Sequence, residues 1–114
     1  MRKIFNLIGI AQRAGKTSSG TMAARNSLIR NKACILLMSE DIAQNARESL
    51  VKVCVKQNIP WLMLGSRYEL GNSIGKAYRV ALTINDSGMA NAIVKAIEAV
   101  ENGAKSMGVV EWPR

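Results

Sequence analysis

Residues 9–20 read GIAQRAGKTSSG, and the choice between two folds rests on them. The ending Gly15-Lys16-Thr17 matches the close of a phosphate-binding loop, G-x-x-x-x-G-K-[ST], which follows a strand and opens a helix. That motif wants its first glycine at position 10. Ile10 stands there, and Gly9 comes one residue early. Ile4, Phe5, Leu7, Ile8 and Ala11 recur with helical spacing. Residues 2–14 are therefore predicted as an amphipathic helix closing near Gly15, where the motif requires a strand. Such a loop also needs an acidic magnesium partner after a later strand. Glu40 and Asp41 follow ACILLM and are placed for it, but the glycine spacing stays broken. What remains is a basic, glycine-bearing turn entering a helix N-terminus. It is either an ordinary helix–helix turn or an anion site of exposed backbone N–H groups, with Arg13, Lys16 and Arg25 near in sequence.

Outward from this turn, Ser19 or Thr21 is expected to cap a second helix over 21–31. The short apolar run 33–38 (ACILLM) reads as a buried strand. Asp41 is expected to cap a third helix reaching Gln57, with Ile42, Ala46, Leu50, Val53 and Cys54 on its apolar face. Pro60 opens a second strand, WLML at 61–64, with Trp61 in the core. Residues 66–75 form a short helix, with Leu70 and Ile74 four apart and Gly71 and Gly75 shaping helix packing. Residues 79–84 form a third strand. Asp86 and Ser87 cap a last helix with Ala90, Ile93, Val94, Ile97 and Val100 inward. The order is helix, helix, strand, helix, strand, helix, strand, helix. Strands joined by helices call for crossovers, hence a partly parallel sheet covered on both faces. The expected fold is α/β, a three-layer α-β-α sandwich around a small mixed sheet of about four strands. Residues 1–101 make one domain. For 102–114 two alternatives stay open, a short strand or a mobile tail.

The 114 residues suit one domain, and 48% apolar content argues against disorder. The formal net charge is +8, and it is lopsided. Residues 1–39 carry Arg2, Lys3, Arg13, Lys16, Arg25, Arg30 and Lys32 and no carboxylate, while 40–114 are nearly neutral. A one-sided basic field attracts polyanions. Cys34 and Cys54 lie in apolar stretches and read as small buried hydrophobes rather than a disulfide or metal pair. With no histidine, the usual zinc sites and histidine-dependent nucleophile or acid–base chemistry lack their parts. No apolar run approaches the roughly 20 residues of a membrane span, and the basic N-terminus is too interrupted for a signal peptide. The expected compartment is the cytoplasm.

Four stretches, LIGIAQRAGKTSSG, KACILLMSEDIAQNA, NIPWLMLGSRYELGNSIGK and RVALTINDSGMANAI, follow one another over residues 4–97. In that order and spacing they resemble the L-seven-Ae / L-thirty-e ribosomal protein superfamily, and within it the small bacterial YlxQ-like branch. The resemblance implies a non-enzymatic RNA-binding protein of the L-thirty-e-like fold, with no cofactor or metal. Its implied partner is structured RNA, either ribosomal RNA or a kink-turn, with the ribosome and without a membrane, and the chain is expected as a monomer. It implies two binding elements. The first holds Lys16, Ser19, Gly20, Thr21, Met22, Ala23 and Asn26. The second holds Lys76, Ala77, Tyr78, Arg79 and Val80.

Kink-turn readers of that family carry Gly, any residue, Asn-Glu, and Lys three positions after the Glu. Here Met22 and Ala23 replace Asn-Glu, and Asn26 replaces the Lys. Helical geometry puts Met22, Arg25, Asn26 and Ile29 on one face and Ala24, Ser27 and Leu28 on the other. The first set is expected outward, toward RNA, with Arg25 covering for the missing Lys. Tyr78 either stacks on an unpaired base or forms a half-buried core edge. Two other functions stay in view: a protein-interaction module of the same fold, prompted by Met22-Ala23 and the apolar tail, and a nucleotide-binding enzyme.

Overall fold

The computed structural model describes residues 2–101 and Val110–Glu111. The elements run α1 (Arg2–Arg13), β1 (Thr17–Ser19), α2 (Thr21–Ile29), β2 (Ile35–Met38), α3 (Gln44–Gln57), β3 (Trp61–Met63), α4 (Arg67–Ser73), β4 (Ala81–Ile84), α5 (Ser87–Glu101) and β5 (Val110–Glu111). The sheet order is β1-β4-β2-β3-β5. Only β2 and β3 are parallel; the other neighbours are antiparallel.

Alternation along the strands builds two cores. Ile35, Leu37, Leu62, Leu82 and Ile84 face α1, α4 and α5, whose buried residues include Ile4, Ile8, Leu70, Ile93 and Ile97. Leu36, Met38 and Ala81 face α2 and α3, where Ala24, Leu28, Leu50 and Cys54 are buried. This is the expected three-layer sandwich with a mixed sheet. Burial pushes the Cys54 thiol up to about 12. Cys34 is also raised, by burial and then by the charge of Asp86. Both thiols are free, as the apolar settings implied.

Three expectations are corrected. TSSG is not a plain turn, because Thr17, Ser18 and Ser19 form an edge strand opposite Ile84, Thr83 and Leu82. Three small polar residues carry no strand pattern of their own; pairing with β4 supplies it. Second, neither Ser19 nor Thr21 caps α2. The N-cap is Gly20, at φ 98° and ψ 155°, with no side-chain cap bond. Third, α3 starts at Gln44 after an uncapped Ala43, not at Asp41. Asp41 is drawn instead to Arg67, 3.3 Å from its Nε, and accepts the Arg67 backbone N–H at 3.1 Å. The ion pair joins the β2–α3 connection to the start of α4.

Asp86 does cap α5, accepting the Met89 N–H at 2.9 Å. Ser66 caps α4 in a reciprocal box with Glu69. Trp61 is half-buried rather than wholly core, lining a cleft beside α3. Apart from Val110–Glu111, the tail 102–114 lies outside the described residues, as does the Val100 side chain.

Candidate nucleic-acid interface

The turn at 14–20 is built by two glycines with different tasks. Gly15 ends α1. The Gly15 N–H donates to the Gln12 carbonyl and the Lys16 N–H to the Ala11 carbonyl, with Gly15 at φ 72°. This is a Schellman closure, which favours glycine at that position. The Gly-Lys-Thr sequence is thus a helix terminus, and the segment before it is a helix, as its periodicity implied. The Thr17 hydroxyl bonds back to the Gln12 side chain.

Gly20 starts α2. Its φ and ψ lie where only glycine is comfortable. Its N–H donates to the Ala81 carbonyl at 2.9 Å, and its carbonyl accepts the Ala24 N–H. The first turn of α2 holds no acid and receives no side-chain cap. Thr21, Met22 and Ala23 are exposed there. Uncapped N–H groups at a helix N-terminus are a ready anion site.

The outward and inward faces of α2 are as expected. Ala24, Ser27 and Leu28 are buried, while Met22 is 78% exposed and Asn26 is exposed. Arg25 is exposed but turns toward α3, donating from Nη1 to the Ser49 hydroxyl at 2.6 Å. Arg13 does not stand over the turn; it lines a cleft between α1 and α4. The three cations adjacent in sequence therefore serve three places, and Lys16 is the one at the turn.

The second element, 74–80, is anchored on α4. The Lys76 N–H donates to the Gly71 carbonyl and the Arg79 N–H to the Arg67 carbonyl, both at 2.9 Å. Gly71 is the seat of this loop. A Cβ there would lie 2.4 Å from the Tyr78 Cα, so only glycine admits the Tyr78 backbone. Lys76, Ala77 and Tyr78 are exposed, and Tyr78 stands 54% exposed. Of its two expected placements, the ring takes the outward one. Val80 is half-buried against the α2–α3 core.

The two elements touch. Arg79 Nε reaches the Ser19 hydroxyl at 3.4 Å, while Arg79 Nη1 donates to the Tyr78 carbonyl at 2.7 Å. With the Gly20–Ala81 bond, these contacts fix the start of α2 beside the end of the 74–80 loop.

Beneath them runs a polar network that the sequence did not announce. The Thr83 hydroxyl donates to Asn85 Oδ1 at 2.9 Å, and Asn85 Nδ2 donates to the Ser18 hydroxyl at 2.9 Å. Ser18 in turn meets the Ser27 hydroxyl at 2.5 Å. Thr83 and Ser27 are buried, so every hydroxyl here needs its partner. Asn85→Leu leaves the buried Thr83 hydroxyl unmatched and removes one of the two partners of Ser18. It is expected to cost about 1–3 kcal/mol, read as a lower urea midpoint with an unchanged slope. A threonine inside the apolar run ALTI was the one available signal.

Residues 2–94 match the model of the Ribosomal protein L7Ae/L30e/S12e/Gadd45 family. The chain belongs to this family. The RNA-binding protein YlxQ of Bacillus subtilis is 32% identical over 94 residues, spanning 82% of this chain and 94% of that one. The RNA-binding protein YlxQ of Enterococcus faecium is 31% identical over 97 residues, spanning 85% and 93%. A solved structure of a Bacillus halodurans protein of unknown function superposes with a TM-score of 0.81 at 26% identity, covering 84% of this chain and 97% of that chain. These findings agree with the resemblance to the bacterial YlxQ-like branch, and the family is a non-enzymatic one. Among the described residues, no helix is long and apolar enough to cross a membrane, and no group of three or more acidic or cysteine side chains could hold a metal ion.

Proposed function

We propose that this chain is a monomeric RNA-binding protein of the cytoplasm, acting on or around the ribosome without cofactor or metal. Its target is a bent, kink-turn-like RNA. One observation carries the reading: an uncapped helix N-terminus, free of acids, held against an exposed loop bearing Lys76, Tyr78 and Arg79. The RNA-binding names of the YlxQ relatives support it.

Capture is electrostatic. The basic field draws RNA in, and Lys16, Lys76 and Arg79 meet phosphates. The N–H groups of Thr21, Met22 and Ala23 receive a phosphate at the bend, with Ser19 and Gly20 shaping the approach. Tyr78 stacks on an extruded base, flanked by Ala77 and Val80. Asn26 lines the groove side of α2, while Arg25 is held toward Ser49 of α3 and Arg13 lies in the α1–α4 cleft, outside this surface. Met22 and Ala23 offer apolar contact and backbone donors only. Recognition is therefore of shape rather than of guanine edges. The exposed Met22 also favours a second reading, a protein-interaction module of the same fold.

A titration with a kink-turn RNA, a plain duplex of equal length and ATP, at two salt concentrations, tests the proposal. The kink-turn RNA is expected to bind at least tenfold tighter than the duplex, with no ATP binding. Equal, steeply salt-dependent binding to both RNAs removes the shape reading. No RNA binding leaves the protein-interaction module.

A further inference from the structure

We propose that the cleft between α1 and α4 is a second contact for the same RNA, a track for the phosphate backbone leading away from the 74–80 loop. This rests on the RNA reading above. The cleft has a volume of about 690 Å³ and is lined on the α1 side by Phe5, Gly9 and Ile10 and by the polar Arg2, Asn6 and Arg13. Their spacing sets them along one stripe of the helix. Its floor is Gly9, whose absent side chain lets the helices meet: a Cβ there would lie 2.8 Å from the Ser73 carbonyl oxygen.

The far wall runs straight into the loop. Asn72 lines the cleft, and its carbonyl accepts the Gly75 N–H at 3.1 Å. Lys76 follows at once, so a strand seated on the loop has a continuous path into the cleft.

The chemistry fits a sugar–phosphate chain. Two guanidinium groups offer forked donors matched to phosphate oxygens. Exposed Asn6 and Asn72 offer amide donors for phosphate or ribose oxygens. Among the described residues, Glu69 is the one acid lining the cleft. Its Oε1 already accepts the Ser66 N–H at 2.9 Å within the α4 capping box. Phe5 and Ile10 give the cleft an apolar flank, but two guanidinium groups and two amides with a single, already engaged carboxylate suit a polyanion better than the charge-depleted centre of a protein interface.

The test uses two RNAs sharing one bent core, one with a minimal stem and one with the stem lengthened by about 10 base pairs, roughly one helical turn. Wild type is expected to bind the longer RNA more tightly. Arg2→Glu with Arg13→Glu should weaken the longer RNA about tenfold and flatten its salt slope by about 2, leaving the short RNA within roughly threefold. Both side chains are exposed, so the fold tolerates the change; Arg2→Gln with Arg13→Gln gives the same direction at a smaller size. Equal weakening of both RNAs, or weakening of neither, overturns the proposal while the α2 interface stands. In the latter case a protein becomes the cleft's remaining occupant. If wild type binds neither RNA, the functional reading falls and takes this inference with it.

Discussion

Reversing two charges, Lys16→Glu with Arg79→Glu, is expected to lower affinity for a bent RNA about a hundredfold near physiological salt, and to flatten the salt slope by about 2. Lys16 completes the Schellman closure of α1 just before β1, and Arg79, near the end of the 74–80 loop, reaches the Ser19 hydroxyl just ahead of α2. The pair thus brackets the start of α2. Each loss removes one counterion-releasing phosphate contact, and each new carboxylate repels its phosphate as well. The fold should survive. Lys16 is exposed, and the two side-chain bonds of Arg79 are replaceable by water, at a cost of about 1 kcal/mol. Affinity by fluorescence anisotropy across a salt series gives the result, with thermal unfolding as the control. Unchanged affinity with an unchanged Tm removes this turn and loop from the interface.

The second large effect is on stability and binding together. Gly71→Ala puts a Cβ 2.4 Å from the Tyr78 Cα and 2.7 Å from its N and C atoms. Backbone cannot rotate away as a side-chain tip can, so the loop must lift from α4. The expected cost is about 3 kcal/mol, a fall in Tm of roughly 10–20 °C for a domain of this size. RNA affinity should drop as Tyr78 and Lys76 lose their places. Gly75→Ala is the matched control. Nothing lies within 4 Å of a Cβ there, and only its φ of 75° is strained, which costs about 1–2 kcal/mol. If Gly71→Ala proves no worse than Gly75→Ala, the Gly71 seat is not what holds the loop.

The sequence was informative where one element's own pattern decided the outcome. The spacing of Ile4, Ile8 and Ala11 and the runs at 33–38 and 61–64 led to the layers, and Asp86 to a real cap. It was silent where a distant partner decided. Thr17–Ser19 becomes a strand only because β4 lies beside it. Asp41 leaves its helix for Arg67, 26 residues away in the chain. Arg13 and Arg25 look like companions of Lys16 until α4 and Ser49 of α3 claim them. The Thr83–Asn85–Ser18–Ser27 network spans three elements and has no local signature. The sequence points to Gly71 and Gly75 as helix-packing glycines, but Gly71 seats the Tyr78 backbone of the loop and nothing lies within 4 Å of a Cβ at Gly75, a distinction set only in three dimensions.

If the start of α2 and the 74–80 loop form one RNA-binding surface, both respond to the same RNA. The most direct test follows backbone amide resonances during titration with a kink-turn RNA. The amides of Gly20–Ala23 and of Lys76–Val80 are expected to shift together, with one common affinity. Shifts confined to the other side of the molecule, around Val55 and Trp61 where α3 flanks β3, would contradict a shared surface.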